Sequence, residues 1–524
     1  MTGGPAIVHD GNANIEQFLD KRKKWYRNKR LVLLNAWIFL MLLTSSTNGY
    51  DGSMMNGLQS LDQWRGYFHN PQGGTLGLFN AIQNIGSLAA YPFAPFLSDG
   101  LGRRRTIFIG AVIMCGAAAL QAAAQSFGMF IGARFLIGFG AGIAGNSAPL
   151  LITEIAYPSH RAPLTSLYNS VWQFGAFIAA WTTFGTFKIP SSLSWRIPSA
   201  IQGLPSVFQV CLILFGPESP RWLVNRGREA DALRTLAYYH ADGDEDHPLV
   251  RYELEEIKAA IEFDKTVAAN VGYKSLFTSP GNRKRMRIVI ALAFFSQWSG
   301  NGLVSYYLNK VFDTIGIKSP TIQLLINGIL QIWNSFWTIF ASFLVDRAGR
   351  RVLFLTSAAG MFFAFLFQTV CTAQFALHES QAAAHAVIAF IFLFYGFYDL
   401  AFSPLIVSYT VEILPYPLRA KGLTVFSFAL SLSLIFNQYV NPIALKHLGW
   451  KYYIVYVVWI VFEFVYCYLF VVETKNRTLE ETAALFDGEQ AMARISGRAA
   501  DELMVDEQED KDTYTSPVDG GDKV

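Results

Sequence analysis

The chain has 524 residues, of which 52% are hydrophobic and only 15% are charged, and its mean hydropathy is +0.28. Soluble proteins carry about 25% charged residues, so this composition excludes an ordinary water-soluble protein and indicates a membrane protein. The net charge of +3 is too small to suggest a polyanion such as nucleic acid as a partner.

Residues that could support enzyme chemistry are scattered. The four cysteines, Cys115, Cys211, Cys371 and Cys467, stand far apart in apolar runs, which gives no metal-ligand spacing and no disulfide framework. The sequence has no phosphate-binding loop or nucleophile motif, and its histidines are few. We therefore expect a protein that is not an enzyme and that holds neither a metal nor an organic cofactor.

The first apolar segment, residues 31–57, follows a polar N-terminal stretch (1–30) that ends in a basic cluster. Basic residues beside a first membrane helix predict a cytoplasmic N-terminal tail. The segment is long enough to cross a bilayer and ends around Asp51, which is flanked by Gly49 and Gly52. Either Asp51 is a protonatable switch on a transport path or it lies in the headgroup region, and this segment alone favours neither.

Apolar segments then recur along the chain in two groups of six. The first six crossings occupy residues 31–216, and a second six occupy 287–472. The charged stretch 217–286 between them cannot span a membrane, and its Glu–Lys spacing predicts a cytoplasmic helical linker. Lys and Arg concentrate in the loops on one side, so we expect about twelve helices with both termini, including the tail 473–524, in the cytoplasm.

Two short charged motifs each occur twice, in the same order and at similar offsets. DGLGRRR (Asp99–Arg105) returns as DRAGRR (Asp346–Arg351), and EIAYPSHR (Glu154–Arg161) returns as EILPYPLR (Glu412–Arg419). This repetition predicts a duplicated six-helix unit, and therefore an all-α membrane fold with two pseudo-symmetric halves. In such a fold the substrate site lies near the midplane between the halves, and one half rocks against the other during transport.

The charged residues of these repeats suit a latch that breaks when the inner gate opens. We expect their salt bridges to join the two halves in the outward-open state and to separate afterwards. The predicted latch residues are Asp99, Arg103, Arg104, Glu154, Arg161, Asp346, Arg350, Arg351, Glu412 and Arg419.

These repeats occur together with GARFLIGFGAG (Gly132–Gly142), SWRIP, PESPRW (Pro217–Trp222) and VETKNRTLEE (Val472–Glu481). From about residue 31 to 487 the combination resembles the sugar porter family of the major facilitator superfamily. Within that family, NGYDGSMMNG and QWSGNGLVSYYL look most like fungal lactose permeases and cellodextrin transporters. The resemblance implies a monomeric sugar transporter that works by alternating access in the lipid bilayer, with the plasma membrane as the expected location.

The same resemblance implies a role for Asp51. Proton-coupled members of the family have an acid in the first helix that faces an arginine in the fourth, and Asp51 and Arg134 match these positions. A proton would then be the coupling ion for uphill sugar uptake. The alternative is a permanent structural salt bridge in a facilitator.

The sugar-binding positions of the family match this chain only in part. The Trp that covers a hexose in the family falls on Val407, and a site without that ring should be wider, which favours a disaccharide or short oligosaccharide. Amides suit sugars because they both donate and accept hydrogen bonds, although each of these amides could also join helices. The expected substrate-binding residues are Asn169, Gln173, Gln297, Asn301, Asn334, Asp399 and Tyr306.

Two other acids lie in apolar segments, and the same fold allows other functions. Asp399 in the tenth apolar segment could contact sugar, a proton path or a neighbouring hydroxyl, whereas Glu463 in the twelfth is expected to be peripheral. The same fold could serve a sugar sensor that does not transport, although such sensors often have longer cytoplasmic tails. A facilitator, a hexose transporter or an exporter of another small polar molecule is the third alternative.

Overall fold

The computed structural model describes residues 25–266, 272–475 and 485–486, except for a few side chains that include those of Asn169 and Asp346. The predicted tails therefore lie almost entirely outside the described residues. Within those ranges the regular structure is helical throughout. We number the α-helices in chain order.

Nine helices form the first half. They are α1 (Lys29–Leu58), α2 (Asp62–Tyr67), α3 (Gly74–Ala90), α4 (Ala94–Leu101), α5 (Arg103–Ala122), α6 (Phe127–Ile155), α7 (Pro158–Thr186), α8 (Leu193–Ile201) and α9 (Leu204–Leu212). The pair α3 and α4 forms one interrupted crossing, and so does the pair α8 and α9. With α1, α5, α6 and α7 these make six crossings among the described residues.

Four short or amphipathic helices form the linker, and eight more form the second half. The linker consists of α10 (Pro220–Asn225), α11 (Glu229–His240), α12 (Pro248–Thr266) and α13 (Ser275–Thr278). The second half consists of α14 (Pro280–Trp298), α15 (Asn301–Thr314), α16 (Pro320–Ala348), α17 (Arg350–His378), α18 (Gln381–Ala401), α19 (Leu405–Ile413), α20 (Tyr416–Leu448) and α21 (Tyr452–Phe470). The pairs α14–α15 and α18–α19 are again single interrupted crossings.

Length and hydropathy agree with a membrane-spanning bundle. Nine segments of the described chain are long and apolar enough to cross a bilayer, and the last of these, Lys421–Phe470, contains two helices. The α3–α4 pair and α7 supply the other two crossings. Large apolar side chains also point outwards from the bundle, for example Phe96, Phe336 and Val458 at 81%, 57% and 65% exposure. This all-helical fold of two six-helix halves with a helical linker confirms the fold class expected from the sequence.

Small residues let the helices of the first half approach closely. A Cβ atom added at Gly49 of α1 would stand 1.9 Å from the carbonyl oxygen of Trp172 in α7, and one added at Gly175 would stand 2.0 Å from that of Ser46. Only glycine fits such contacts between helix backbones. The Gly49–Gly175 packing fixes α1 against α7 and so sets the position of Asp51.

The interruption between α14 and α15 has a local cause. Ser299 is the C-cap of α14, and Gly300 has a φ of +98°, a left-handed conformation that side-chain-bearing residues rarely adopt. A Cβ atom at Gly300 would also stand 2.6 Å from the ring of Phe365 in α17. Tyr307 inside α15 has a second non-helical conformation, with φ −137° and ψ 30°. This crossing is therefore built as a broken helix.

The linker marks one end of the bundle, which we call the linker end, and the opposite end is the far end. Asn28 donates from Nδ2 to Oδ1 of Asp242 at 2.9 Å, so α1 begins at the linker end. The linker has an apolar core of its own, centred on Leu236, Val250 and Leu254. At the far end, Tyr307 and Leu324 of the second half pack with Tyr50, Trp64 and other apolar residues of the first half.

Candidate functional site

A buried ion pair lies at the centre of the first half. Arg134 of α6 donates from both terminal nitrogens to the two carboxylate oxygens of Asp51 in α1, each at 2.8 Å. Asp51 is 0% exposed and Arg134 is 1% exposed. This bidentate contact is the strongest geometry for a guanidinium and a carboxylate, and it offsets the cost of burying both charges.

Two further contacts complete the environment of this pair. Gln202 follows α8 and donates from Nε2 to Oδ1 of Asp51 at 2.6 Å, and Arg134 donates from Nε to the carbonyl oxygen of Phe79 at 2.7 Å. The arginine can reach α3 because a Cβ at Gly138, one turn along α6, would stand 1.8 Å from the carbonyl oxygen of Gln83, so α3 and α6 almost touch. Asp51 thus links four crossings of the first half.

This arrangement has a definite chemical capacity. The carboxylate of Asp51 accepts three short hydrogen bonds, two from Arg134 and one from Gln202. If Asp51 takes a proton, the bidentate contact is lost and the carboxyl group no longer neutralises the buried charge of Arg134. Removing one partner of a buried ion pair costs about 3–5 kcal/mol, so the protonation state of Asp51 can bias how these helices pack.

A second polar cluster surrounds the helix break in the second half. Asn301, the first residue of α15, donates from Nδ2 to the hydroxyl of Tyr398 at 3.0 Å, and that hydroxyl donates to the carbonyl oxygen of Ser296 at 2.6 Å. Tyr395 donates to the carbonyl oxygen of Asn301 at 2.9 Å. Its hydroxyl also lies 2.6 Å from Oγ of Ser305. Two tyrosines of α18 therefore hold the broken crossing in place.

Four of the predicted substrate-binding residues share one property. Each has a buried side-chain oxygen that accepts no hydrogen bond among the described residues: Oε1 of Gln173, Oδ1 of Asn301, Oδ1 of Asn334 and Oδ2 of Asp399. The other carboxylate oxygen of Asp399 accepts from Ser403 at 2.5 Å. Buried acceptors without donors are costly, and sugar hydroxyls are donors of the kind that would satisfy them.

The remaining predicted residues have mixed surroundings. Gln297 is half-buried, and its carbonyl oxygen accepts from Nδ2 of Asn437 at 2.6 Å, so its backbone is bound to α20. The ring of Tyr306 lies 3.8 Å from the place where a Cβ at Gly52 would stand, next to Asp51 in the sequence. The side chain of Asn169 lies outside the described residues. Val407, which stands where the family has a Trp, is 40% exposed.

Polar contacts join the two halves at the far end. Asn56 of α1 donates to Oδ1 of Asn327 in α16 at 3.3 Å, and its own Oδ1 accepts from the backbone N–H of Leu308 at 3.2 Å. Gln59 donates to the carbonyl oxygen of Tyr306 at 2.9 Å, and Asn309 donates to that of Gln59 at 3.0 Å. The ends of α1, α15 and α16 therefore close this side of the space between the halves.

The latch residues of the first half lie at the linker end. Arg103 of α5 donates to Glu154 at the end of α6 at 3.1 Å and to Asp99 of α4 at 3.2 Å. Arg104 donates from its side chain to the carbonyl oxygen of Gly216 at 2.7 Å. The acids that Arg103 contacts stand on neighbouring helices of its own half, so these ion pairs do not join the halves here, and a latch that forms in the outward-open state stays a prediction.

The second half repeats this arrangement. Arg350 of α17 contacts Glu412 of α19 at 3.1 Å, again within its own half, and Arg351 donates to the carbonyl oxygen of Tyr468 at 2.7 Å. The side chain of Asp346 lies outside the described residues. Arg161 lies near the beginning of α7 and Arg419 near the beginning of α20, both at the linker end. The latch between the halves in the outward-open state therefore stays a prediction for all of these residues.

Two acids without a predicted role bind the backbone of the repeated arginines, one acid in each half. Glu218 accepts from the backbone N–H of Arg104 at 3.2 Å, and Glu473 accepts from those of Arg350 and Arg351 at 2.9 and 3.0 Å. Burial alone would raise the pKa of Glu473, but backbone hydrogen bonds, foremost that from Lys475, outweigh it and lower the pKa. The motifs PESPRW and VETKNR could have pointed to Glu218 and Glu473, since each acid follows the last crossing of its half.

Two buried polar residues were also missed or misjudged. Gln202 lay outside every motif, and only its distance to Asp51 reveals it. Glu463 of α21 was expected to be peripheral, yet it is 0% exposed and accepts from Oγ of Ser299 at 2.8 Å, at the break between α14 and α15. An apolar helix can place an acid inwards as readily as outwards, and the sequence of α21 does not decide between these.

Fold and site together define a multi-pass membrane transporter with two six-helix halves. The chain belongs to the family described as "Sugar (and other) transporter", whose profile matches residues 37–486. The chain is 30% identical over 468 residues to the high-affinity glucose transporter of Kluyveromyces lactis, covering 84% of this chain and 83% of that protein. It is 30% identical over 352 residues to a probable quinate permease of Aspergillus niger, covering 64% of each.

Solved structures share this fold. The inward-open xylose transporter XylE of E. coli superimposes with a TM-score of 0.71 at 22% identity, covering 86% of this chain and 100% of that one. The proton:xylose symporter XylE bound to 6-bromo-6-deoxy-D-glucose gives a TM-score of 0.67 at 24% identity, covering 86% and 100%. The protein is thus a member of the sugar (and other) transporter family and not an enzyme, as the sequence predicted.

Proposed function

We propose that the protein is a proton-coupled sugar symporter, in which Asp51 takes up and releases the coupling proton. The observation that carries this proposal is the fully buried Asp51–Arg134 pair, with both carboxylate oxygens 2.8 Å from the guanidinium. A solved structure of the same fold is named a proton:xylose symporter, which supports the same reading. Each proton that enters gains about 2.3 kcal/mol per 100 mV, which can drive uphill uptake.

The cycle follows from the two states of Asp51. When Asp51 is charged it holds α1 to α6 through Arg134, and when it is protonated that contact weakens. Since α1 also contacts α15 and α16 at the far end through Asn56 and Gln59, a shift of α1 reaches the contacts between the halves. Loading the proton and the sugar together would thus permit the halves to rock.

The substrate follows from the buried acceptors. Gln173 belongs to the first half, and Asn301, Asn334 and Asp399 belong to the second, so a sugar between the halves can satisfy oxygens on both sides. Val407 leaves the site without the aromatic ring that narrows it around a hexose. We take the substrate to be a disaccharide or short oligosaccharide of the lactose or cellobiose type, as in the fungal branch that the helix motifs resemble.

A hexose is the second candidate, and one observation favours it. The relative from Kluyveromyces lactis is named a high-affinity glucose transporter and matches 84% of this chain. If the site takes glucose, Asp51 and Arg134 keep the same role and only the substrate pocket differs.

The location and orientation are part of the same proposal. Arg103, Arg104, Arg105, Arg350 and Arg351 lie at the linker end, and basic loops remain on the cytoplasmic side. The linker end therefore faces the cytoplasm, with both termini, and the far end faces outwards. The protein acts as a monomer in the plasma membrane.

Uptake of labelled sugar into a transport-deficient cell tests the symport claim. We expect wild-type cells to concentrate the sugar and a protonophore to abolish that accumulation. Asp51→Asn should lose accumulation but keep sugar binding, because the amide cannot carry the proton. Accumulation that ignores the protonophore would remove the symport claim.

Competition in the same cells tests the substrate. We expect unlabelled lactose or cellobiose to inhibit uptake more strongly than glucose. Equal or stronger inhibition by glucose would favour the hexose candidate, without affecting the result for Asp51.

A further inference from the structure

A cavity of about 300 Å³ opens at the linker end, far from the Asp51–Arg134 pair. It lies where the start of α5, the chain after α9 and the linker helix α11 meet. Its charged lining consists of Arg104, Arg105, Glu218, Arg228, Asp231 and Arg234. Four arginines face two acids, so the cavity has an excess of two positive charges.

The two acids of the cavity are already engaged. Glu218 accepts from the backbone N–H groups of Arg104 and Ser219, at 3.2 and 2.9 Å. Burial raises the pKa of Glu218 in spite of these bonds. Asp231 is shared, since Arg228 lies 2.8 Å from it and Arg234 lies 3.9 Å from it.

The arginines, in contrast, retain capacity to donate. Arg104 uses one terminal nitrogen for the carbonyl oxygen of Gly216, while its Nε is buried and has no hydrogen-bond partner among the described residues. The side chains of Arg105 and Arg234 are exposed. Arginine binds phosphate through pairs of parallel N–H groups, so such a cluster matches a doubly charged oxyanion better than a carboxylate.

We propose that this cavity binds a phosphate group with two negative charges and thereby fixes the linker to the first half. One anion in the cavity would contact Arg104 and Arg105 on the crossing α5 together with Arg228 and Arg234 on the linker. The group has two sources, the headgroup of an anionic lipid with a terminal phosphate or a soluble phosphate compound. Lipid is within reach because α5 begins a membrane crossing at Arg103.

The test uses the purified full-length chain and two probes. In detergent, the melting temperature is followed against sodium phosphate, with chloride holding the ionic strength constant. In vesicles of phosphatidylcholine, it is followed with and without added phosphatidic acid. Variants are Arg234→Gln, the double variant Arg105→Gln with Arg234→Gln, and the control Arg251→Gln, an exposed linker arginine that pairs with Asp246 outside the cavity.

We expect the melting temperature of the wild type to rise with at least one probe, saturably for free phosphate. The apparent affinity should fall about tenfold in the double variant, less in Arg234→Gln, and not in Arg251→Gln. A response to phosphate in detergent identifies a soluble compound, and a response to phosphatidic acid alone identifies the lipid. No response in the wild type, or equal responses in the wild type and both cavity variants, would overturn the proposal and leave the symport proposal unaffected.

Discussion

At the scale of residues, the proposed proton coupling depends on one carboxylate and its three donors. Asp51 accepts from both terminal nitrogens of Arg134 and from Gln202. The arginine supplies charge, whereas Gln202 is neutral and is the closest of the three at 2.6 Å. Because a hydrogen bond to a charged group contributes about 1.5–3 kcal/mol, Gln202 should help to decide when Asp51 holds a proton.

Gln202→Leu tests this role. We expect uphill sugar accumulation to fall about tenfold or more, because the charged form of Asp51 loses the hydrogen bond that Gln202 donates. Initial uptake rates and steady-state accumulation should be measured over a range of external pH, since loss of a proton-linked donor changes the pH profile as well as the rate.

The matched control is Gln209→Leu. Gln209 is also a fully buried amide on the sixth crossing, but it donates to Thr44 and to the carbonyl oxygen of Leu40. Both variants remove buried hydrogen bonds and should lower the melting temperature similarly. If the two variants lose accumulation equally and with the same pH profile, Gln202 has only a structural role.

At the scale of elements, one buried histidine is among the contacts that attach the linker to the bundle. His240, at the end of α11, contacts Glu253 of α12 through Nδ1 at 2.7 Å and the carbonyl oxygen of Ile155, at the end of α6, through Nε2 at 3.2 Å. The carboxylate of Glu253 and the carbonyl oxygen of Ile155 are both acceptors, so the charged ring, with hydrogen on both nitrogens, satisfies both contacts. A cation also suits the C-terminal end of a helix such as α6.

This contact should depend on pH. Burial by itself lowers the pKa of His240, but the charge of Glu253 and the hydrogen bonds to Glu253 and Ile155 outweigh burial, so the pKa is raised above its usual value. Its contribution to linker attachment is therefore complete below about pH 6.5 and is lost as the pH rises through the raised pKa. Arg161 also acts on the ring and opposes its charge.

Hydrogen exchange of the linker amides in the full-length protein measures the effect. We expect exchange in α11 and α12, corrected for its intrinsic pH dependence, to accelerate as the pH is raised from 6 towards 9. His240→Gln should show fast exchange throughout, while His378→Gln, at the far end of α17, should behave like the wild type. Linker protection that stays constant over this range in the wild type would refute the histidine contact.

At the scale of the whole molecule, the contacts between halves define the state of the transporter. Asn56 of α1 and Asn327 of α16 join the halves at the far end, 3.3 Å apart. The described ion pairs of Arg103 and Arg350 lie within single halves at the other end. The far end is thus the closed side in this structure, and transport requires the Asn56–Asn327 contact to open.

A reversible cross-link tests that requirement. In a background in which the four native cysteines are replaced, Asn56→Cys with Asn327→Cys should form a disulfide that abolishes sugar uptake, and a reductant should restore it. Gln121→Cys with Ser199→Cys is the control, because these side chains are 3.3 Å apart but both belong to the first half. Full transport while the cysteines introduced at positions 56 and 327 are joined by a disulfide would contradict rocking of the halves.

The fold could be predicted from the sequence because the apolar segments and the charged motifs each recur along the chain. Twelve apolar segments, a charged linker and two duplicated motifs leave few alternative architectures. Asp51 and Arg134 were paired through family resemblance, and the structure brings them to 2.8 Å. The ion pairs that Arg103 and Arg350 make within their own halves could not be read from the motifs, because a motif specifies which charges exist but not which half supplies the counter-ion.

Other parts of the site could not have been read from the sequence. Gln202 is 151 residues from Asp51 in the chain, and only the packing of the α8–α9 crossing against α1 brings the two side chains together. Glu463 lies in a helix that is apolar on all sides, so no periodicity assigns it a face. Such contacts arise from tertiary packing, which local patterns do not encode.

In the proposed mechanism, Asp51 carries one proton with each sugar. Its most direct test is proton movement driven by sugar alone, in proteoliposomes of the purified protein with equal pH inside and outside and no membrane potential. Adding lactose or cellobiose, and glucose separately, to the weakly buffered medium should make it alkaline for the wild type with a transported sugar. Asp51→Asn should bind that sugar and leave the pH unchanged. Sugar entry without alkalinisation in the wild type, or the same alkalinisation in Asp51→Asn, would contradict the account.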